Sequence, residues 1–424
     1  CSGRPPRQRR PPPPPVPAMK ARHLATPAAI LLASCTLGPD FKLPDLTGGS
    51  KWKETQAVSG ARLPDNWWRL FNDSELNRLV DRALSANTEL AAAKARVETS
   101  RALVGVDRAR MFPTLNLNGS AGINRNSEQA TTGNLPAGIS VDLDSERYRG
   151  TFDLAYDPDL WGRNKRLLES STAQAAAAEA LFDAQRLGVA TEVARQYFLL
   201  RGLDAQEAVL RDTIKSRQDT LDLQKSKSDA GLIDHLSTTQ AKTELELANN
   251  DLALVERQRG SAEHALAVLC GARPSDFSLS SRETKSSIPD IRAGLPAEVL
   301  ARRPDVRAAE QQLRSANAKI GVAEAAFYPN FRLSASGGFE SLEARDFLNW
   351  ENRVLQLGAG VAAPVFDGGT NRANFDAAVA QRDEALATYK TTLLTALREV
   401  EDAATDPKGI ARPRAALEQA LASS

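Results

Sequence analysis

Three histidines, three cysteines and one glycine-rich run are the places where this 424-residue chain could do chemistry. His23 lies near the N-terminus, and His235 and His264 lie in the middle. His264 and Cys270 could pair as base and nucleophile. Six positions along a helix put them on different faces, however, and no carboxylate is spaced to orient the imidazole. A core or surface role suits both better. Gly358-Ala359-Gly360-Val361-Ala362-Ala363 imitates a dinucleotide-binding turn after a strand. Pro364 and a further turn then stand where the phosphate-binding helix should begin. No catalytic residue, metal site or cofactor is read from these positions, and the chain is not expected to be an enzyme.

Composition narrows the field further. Lys and Arg number 54 against 53 Asp and Glu, a net charge of +1 that gives no electrostatic footprint for nucleic acid. Alanine-rich polar segments with only 5% aromatics favour long helices over one thick globular core. Residues 1–18 form a Pro/Arg tract that cannot pack a core, so translation is expected to start at Met19. Residues 19–34 then read as a signal peptide, with Lys20 and Arg22 ahead of an apolar run from Leu24 to Ala33. The run ends in Leu32-Ala33-Ser34-Cys35, which resembles the bacterial lipobox, so cleavage before Cys35 and a covalent lipid on its thiol are expected. Residues 35–73 would be the anchored linker. Cys270, before Gly271 at a helix end, reads as a small buried thiol. Beyond the leader no apolar stretch approaches the ~20 residues a spanning helix needs, so any transmembrane element must be a strand.

The elements that place these residues come from an internal repeat. Val106-Asp107-Arg108-Ala109-Arg110-Met111-Phe112-Pro113 parallels Val322-Ala323-Glu324-Ala325-Ala326-Phe327-Tyr328-Pro329, a shift of 216 positions (113 to 329). Trp161-Gly162-Arg163-Asn164 parallels Gly368-Gly369-Thr370-Asn371, a shift of 207 (164 to 371). Each copy reads as helix, proline, strand, loop, strand, glycine turn, helix; the copies span 74–290 and 291–424. Strands are expected at about 114–124, 148–157, 330–340 and 354–363, each alternating with period 2. Leu115, Leu117 and Ile123 interleave with Asn116 and Asn118; Phe152 and Leu154 with Arg149, Asp153 and Asp157; Phe331 and Leu333 with Arg332 and Ser334. Strands of ~10 residues have the length of tilted transmembrane strands. Four are too few to close a barrel, for which about eight is the minimum, so copies must associate to remove the edges.

The helices are expected at about Ser74–Met111, Asp305–Phe327 and Thr370–Ala404, with a long hairpin over 163–270. No proline falls between Pro158 and Pro274. Leu203, Leu210, Ile214 and Leu221 on the outgoing limb face Leu245, Leu252, Val255, Ala262, Leu266 and Leu269 on the return at coiled-coil spacing. Gly231-Leu232-Ile233-Asp234 turns the hairpin and carries an apolar pair into solvent.

Five stretches resemble the TolC-like outer-membrane channels of tripartite efflux pumps, in their lipoprotein (NodT) branch. They are Trp67-Trp68-Arg69-Leu70-Phe71, Arg303-Pro304-Asp305-Val306-Arg307-Ala308-Ala309-Glu310, Ala326-Phe327-Tyr328-Pro329, Pro364-Val365-Phe366-Asp367-Gly368-Gly369 and Ala396-Leu397-Arg398-Glu399-Val400-Glu401-Asp402-Ala403. The resemblance runs from Cys35 to Ala404. It implies a mainly helical chain whose four strands join a trimeric, twelve-stranded barrel on a helical periplasmic tunnel. It implies a homotrimer, a periplasmic adaptor protein and an inner-membrane pump as partners, and a passive exit duct for drugs or other toxic solutes. Asn116, Asn118, Arg149, Asp153, Asp157, Arg332 and Ser334 would then line a water-filled lumen, and the small residues of 358–363 would face it too. Gly231, Leu232, Ile233 and Asp234 would dock the adaptor; read from the residues alone, Gly231 equally well just ends a helix with Leu232 and Ile233 stapling the turn.

Two departures from the family pattern stand out. Pro158 occupies a position that is usually apolar. The first copy runs 107 residues from Asn164 to Gly271 but only 53 follow Asn371, so the second hairpin and its acidic aperture are expected to be incomplete. Asp406-Pro407-Lys408-Gly409 is expected to break the last helix. A lipid-anchored coiled-coil scaffold, or a truncated channel that does not function, is the alternative.

Overall fold

The absence of proline over more than a hundred residues allows very long helices, and the computed structural model contains them. It describes residues 36–44, 53, 64–125, 127, 143–282 and 296–423. Helices α1 (Ser74–Ala86) and α2 (Thr88–Ala109) lead into strands β1 (Thr114–Arg125) and β2 (Asp144–Tyr156). Helices α3 (Arg163–Asp229) and α4 (His235–Leu269) form the long hairpin. The second repeat has α5 (Pro296–Arg302), α6 (Pro304–Ala325), β3 (Asn330–Ser341), β4 (Arg353–Ala362) and α7 (Thr370–Ser423).

At 1.5 Å per residue the 67 residues of α3 extend about 100 Å. A helix this long is stable only with partners along its length. α3 has them: α1, α2 and α4 on one side, α6 of the second repeat on another, while α7 packs on α6. Near the sheet the contacts are made by Ala173, Ala175, Ala177 and Ala180, whose small side chains allow close helix approach. Farther out, Leu200, Leu203, Val255 and Leu266 join Trp68, Leu76 and Val80 in the main core. Towards the tip a smaller seam of Leu221, Ala241 and Leu245 closes the hairpin.

The strands form one antiparallel sheet in the order β1-β2-β3-β4. One row across it reads Leu117, Phe152, Gly337, Leu355, and the next reads Asn116, Asp153, Ser336, Gln356. Along the middle of the strands the register therefore keeps the apolar sets on one face and the polar sets on the other, as the period-2 pleat requires, while Arg125, Asp144, Glu146 and Arg353 join the apolar face at the strand ends. Both outer strands, β1 and β4, leave one edge unpaired within the chain.

Four boundaries differ from the sequence expectation. The helix expected over Ser74–Met111 is broken at Asn87, whose backbone is extended (φ −66°, ψ 126°). Asn87 Oδ1 accepts from Leu90 N–H at 3.0 Å, capping α2, while Nδ2 donates to Leu269 O at 3.0 Å. One side chain thus starts a helix and ties it to the far end of the hairpin. In the second copy Pro304 opens α6 and separates it from α5. β2 begins at Asp144 and ends at Tyr156, so Asp157 lies past the strand rather than on its polar face. Finally, α7 continues helical across Pro407 to Ser423, contrary to the break expected at 406–409. A proline costs an interior helix about 3 kcal/mol, yet α7 runs on across both Pro407 and Pro413.

Candidate functional site

The sheet is the first element with a distinctive surface. Leu115, Leu117, Ile123, Phe152, Leu333, Leu355, Leu357 and Val361 are all exposed, and the register places all of them on one face. A soluble sheet would bury such a face against a second layer. The opposite face carries Asn116, Asn118, Arg149, Asp153, Arg332 and Ser334 together. Asn118 Nδ2 donates to Asp153 Oδ2 at 2.5 Å, and Arg147 and Arg149 both pair with Glu340 across the β2–β3 seam, at 2.8 and 3.0 Å. Asp157 does not join them. Its Oδ1 accepts from Asp159 N–H at 3.1 Å in the turn below the sheet.

That turn belongs to the junction between sheet and helices, where the sequence motifs meet. Asp159 accepts from Asn164 and Lys165 N–H (3.0 and 2.9 Å), satisfying the first amides of α3. Asp367 does the same for α7 through Gly369 and Asn371. Trp161 stacks on Tyr328 with ring centroids 4.9 Å apart, and its indole donates to Pro329 O at 2.6 Å. Between the repeats an open cleft of about 310 Å³ is lined by Asp157, Trp161, Arg163, Tyr328, Asn330 and Asn371, among others. At the other end of α6, Arg303 pairs with Asp305 at 2.7 Å and Glu399 at 2.6 Å, joining two of the quoted motifs. Hydrogen bonds to Asp305 and Glu399 hold this guanidinium above its ordinary value despite burial.

The segment that follows Cys35 is also built into the junction; Cys35 itself lies outside the described residues. Leu37 N–H donates to Trp161 O at 3.1 Å. Arg166, nearly fully buried, donates to Leu37 O, Gly38 O and the Asp40 carboxylate at 2.9–3.0 Å. Asn317 Nδ2 donates to Pro39 O at 2.8 Å. Gly38 (φ +88°) passes Gly321 so closely that a Cβ on Gly38 would overlap the Gly321 backbone.

The hairpin turn holds all four predicted tip residues. Gly231 (φ +71°) ends α3 with Gly231 N–H to Ser228 O and Leu232 N–H to Lys227 O, both 2.9 Å, the Schellman pair. Asp234 caps α4 by accepting from Ser237 N–H at 3.2 Å. Leu232 is 73% exposed and Leu236 beside it 61%, while Ile233 is half-buried. The turn is rigid at its backbone and apolar at its surface.

Sequence reasoning missed a charged clasp inside the helical region. Arg201 is fully buried; its Nη1 donates to Asp204 Oδ2 at 2.7 Å and to Ser280 O at 2.9 Å. Arg259 Nε donates to the other Asp204 oxygen at 2.7 Å, and its Nη2 to Leu279 O at 2.7 Å. Tyr197 OH donates to Asp73 Oδ2 at 2.7 Å and accepts from Arg282 at 2.6 Å. Burial, with Asp73 beside it, pushes the Tyr197 phenol up to about 12. Burial raises Asp73 as well, but hydrogen bonds from Tyr197, Leu76 and Glu75 outweigh it and hold the carboxyl below its ordinary value. The clasp fastens the segment around 279–282 across α1, α3 and α4. Asp73 is also the N-cap of α1, and a cap directly after a Trp-Trp motif was the one available signal.

The positions first weighed for catalysis do not converge. His264 is exposed, whereas Cys270 is buried, its thiol pushed up by burial. Gly358 and Gly360 lie within β4, and seven residues separate its end from α7. Among the described residues no group of three or more His, Cys, Asp or Glu is arranged to hold a metal. Among them, too, no helix is long and apolar enough to cross a membrane.

Comparison with known proteins gives a consistent result. The family model described as outer membrane efflux protein matches residues 79–272 and 295–424. The solvent efflux pump outer membrane protein SrpC of Pseudomonas putida is 34% identical over 395 residues, covering 91% of this chain and 82% of that protein. Outer membrane protein OprJ of Pseudomonas aeruginosa is 34% identical over 400 residues, covering 93% of this chain and 82% of that one. Among solved structures, the outer-membrane channel OprN aligns with a TM-score of 0.82 at 31% identity, covering 92% of this chain and 87% of its own.

Proposed function

We propose, since this chain belongs to the outer membrane efflux protein family, that three copies close a twelve-stranded barrel above a helical periplasmic tunnel and form the passive exit duct of an efflux pump. The chain is an outer-membrane efflux channel component. The observation that carries the trimeric reading is the sheet: four strands, two free edges, and one face of exposed large apolar side chains. A bilayer solvates that face, and closure with other copies satisfies those edges.

The polar face then lines the lumen with Asn116, Asn118, Arg149, Asp153, Arg332 and Ser334. Asp157 would stand below it, at the mouth of the tunnel. The duct itself does no chemistry, needs no cofactor and binds no nucleic acid; an inner-membrane pump supplies the energy. SrpC is named for solvent efflux, and organic solvents or drugs are the cargo we assign here. Leu232 and Ile233, set in a rigid turn at the tip of the hairpin, offer the adaptor protein an apolar knob between Gly231 and Asp234. A lipid on Cys35 would anchor the chain in the outer membrane. Consecutive Cα atoms are 3.8 Å apart, so the anchor would start one residue from Thr36 and hence beside the sheet–helix junction.

The test compares the two faces. Leu117→Arg should cost up to about 2–4 kcal/mol near the bilayer midplane and sharply lower the yield of membrane-inserted channel. Asn118→Arg, one residue along, should assemble normally and change single-channel conductance instead. Equal tolerance at both positions would mean that the alternation does not mark a lipid boundary. It would leave a lipid-anchored scaffold as the better account.

A further inference from the structure

The loop between β3 and β4, at the end of the sheet away from the helices, is built more closely than a loop open to water needs to be. Its backbone winds through two short turns of 3-10 helix, Ala344–Asp346 and Trp350–Asn352. In them Asp346 N–H donates to Glu343 O, Asn349 N–H to Asp346 O and Asn352 N–H to Asn349 O, at 3.2, 3.0 and 2.9 Å. Ser341 Oγ donates to Glu343 O at 2.9 Å and accepts from Glu343 N–H at 3.1 Å. Asn352 Nδ2 donates to Asp346 O at 2.7 Å, and Arg345 pairs with Glu343 at 2.6 Å. Yet this closed frame leaves Leu342, Leu348 and Trp350 exposed by 62%, 74% and 72%. A segment that satisfies its own polar groups and turns large apolar side chains outward suits a low-dielectric boundary better than water.

The loop also leans to one side. Phe347 lies over Gly150, where an added Cβ would come within 2.9 Å of its ring, and it meets Phe339 edge-on with centroids 6.3 Å apart. Gly150 is paired with Gly119 and Phe339, two places along from Phe152, so the ring rests on the apolar face of the sheet and not over the polar one. That face is short beside the loop. From Leu355 to Val361 the apolar set of β4 covers six residue steps. This is about 20 Å along the strand and about 16 Å of height at a tilt of about 40°, against a band of about 25 Å for a membrane barrel. Arg353 takes the next place up on this face. Its guanidinium lies 4.9 Å from the centroid of the Trp350 ring and donates to Trp350 O at 2.8 Å. An amphipathic ring beside a long-stemmed cation is the pairing favoured at the level of the headgroups.

We propose that this loop anchors the chain in the outer leaflet. Leu342, Leu348 and Trp350 insert where the lipid headgroups join their acyl chains and make up the height that β4 lacks. Phe347, seated over Gly150, holds the loop on the lipid side of the sheet. The occupant of this surface is lipid. The inference rests on the reading that the apolar face of the sheet meets the bilayer, and adds that the loop above it does so too. The polar face, and with it the exit of the duct, is left uncovered by this loop.

Tryptophan fluorescence of the full chain, in vesicles of phosphatidylcholine brominated on its acyl chains, reads the contact directly, because bromine quenches only an indole it touches. The contribution of Trp350 is the difference between the chain and its Trp350→Phe variant. Bromine close to the headgroup should quench that contribution at least twofold more than bromine near the methyl end, and acrylamide in the water should quench it weakly. Leu117→Trp in the Trp350→Phe background is the control inside the band, where both brominated lipids should quench. Quenching of Trp350 by acrylamide and by neither lipid puts the loop in water; it overturns the anchor and, with Leu117→Trp quenched, leaves the lipid face standing. Shielding of Trp350 from lipid and acrylamide alike gives the loop to a protein contact and overturns the anchor equally. Leu117→Trp untouched by either lipid refutes the underlying reading of the sheet. Gly150→Val, whose side chain takes the place of the Phe347 ring, should cut lipid quenching of Trp350 at least threefold. Unchanged quenching removes Phe347 as the residue that holds the loop.

Discussion

The sheet and the helical clasp place their charges in opposite ways. In the sheet, leucines and phenylalanines occupy one face, and along the middle of the strands carboxylates and guanidinium groups gather on the other. In the clasp, Arg201 and Asp204 sit inside an otherwise apolar core, with Tyr197 and the Asp73 carboxylate beside them. Each arrangement suits its surroundings. Hydrocarbon takes apolar surface without cost but leaves no water for a stray polar group. Buried charges in a water-surrounded rod hold only while every partner is in place. The sheet should therefore tolerate change on its polar face and fail on its apolar one, whereas the clasp should fail whenever one partner is lost.

The largest effect is expected where a buried charge loses its counterion. Asp204→Ala leaves Arg201 and Arg259 without their shared carboxylate and should cost about 3–5 kcal/mol, read as lower midpoints of thermal and urea unfolding. That matches or exceeds the loss expected for Leu117→Arg in the sheet. A smaller cost than for Leu117→Arg would show that water reaches the clasp.

A second comparison uses acid. The folded Asp73 carboxyl lies below its ordinary value of 3.8, so its share of stability is complete above that pH and is lost as pH falls through the lower, folded value. Melting temperature should drop as pH falls below about 3.8. Asp73→Asn should lower stability at neutral pH and flatten that acid limb; an unchanged acid limb would assign the loss to other carboxylates.

The smallest effect on the fold belongs to the hairpin tip. Leu232→Glu with Ile233→Lys should change unfolding by no more than about 0.5 kcal/mol, because the Schellman hydrogen bonds are made by the backbone. The same double variant should lose adaptor cross-linking while remaining trimeric. Retained cross-linking would leave the tip a structural turn.

How much of this was legible in the sequence follows the same division. The sheet could be read because its signal is local: a period of two repeated in four segments, with two anchors at fixed shifts. Gly231 and the heptad leucines of the hairpin are likewise local signals. The clasp could not be read. Tyr197, Arg201 and Asp204 look like any polar stretch of a helix, and their partners Asp73 and Arg282 are more than seventy residues away on either side. Asn87 was hidden for a related reason, since a cap inside a helical pattern is visible only once Leu269 is known to stand opposite.

The strap behind Cys35 carries a consequence for biogenesis. Thr36 to Phe41 are among the earliest residues of the fold to be synthesised, yet Asn317, which binds Pro39, follows 278 positions later. Contacts at such separation form late, after the loops between them have closed. The first residues of the fold to be made are thus among the last to be seated, and until α6 is in place the strap has only its first-repeat partners. With the proposed lipid on Cys35, an acyltransferase would meet this segment as an open chain before assembly and as a clamped one afterwards, and the order of modification and folding would then depend on which repeat supplies the clamp.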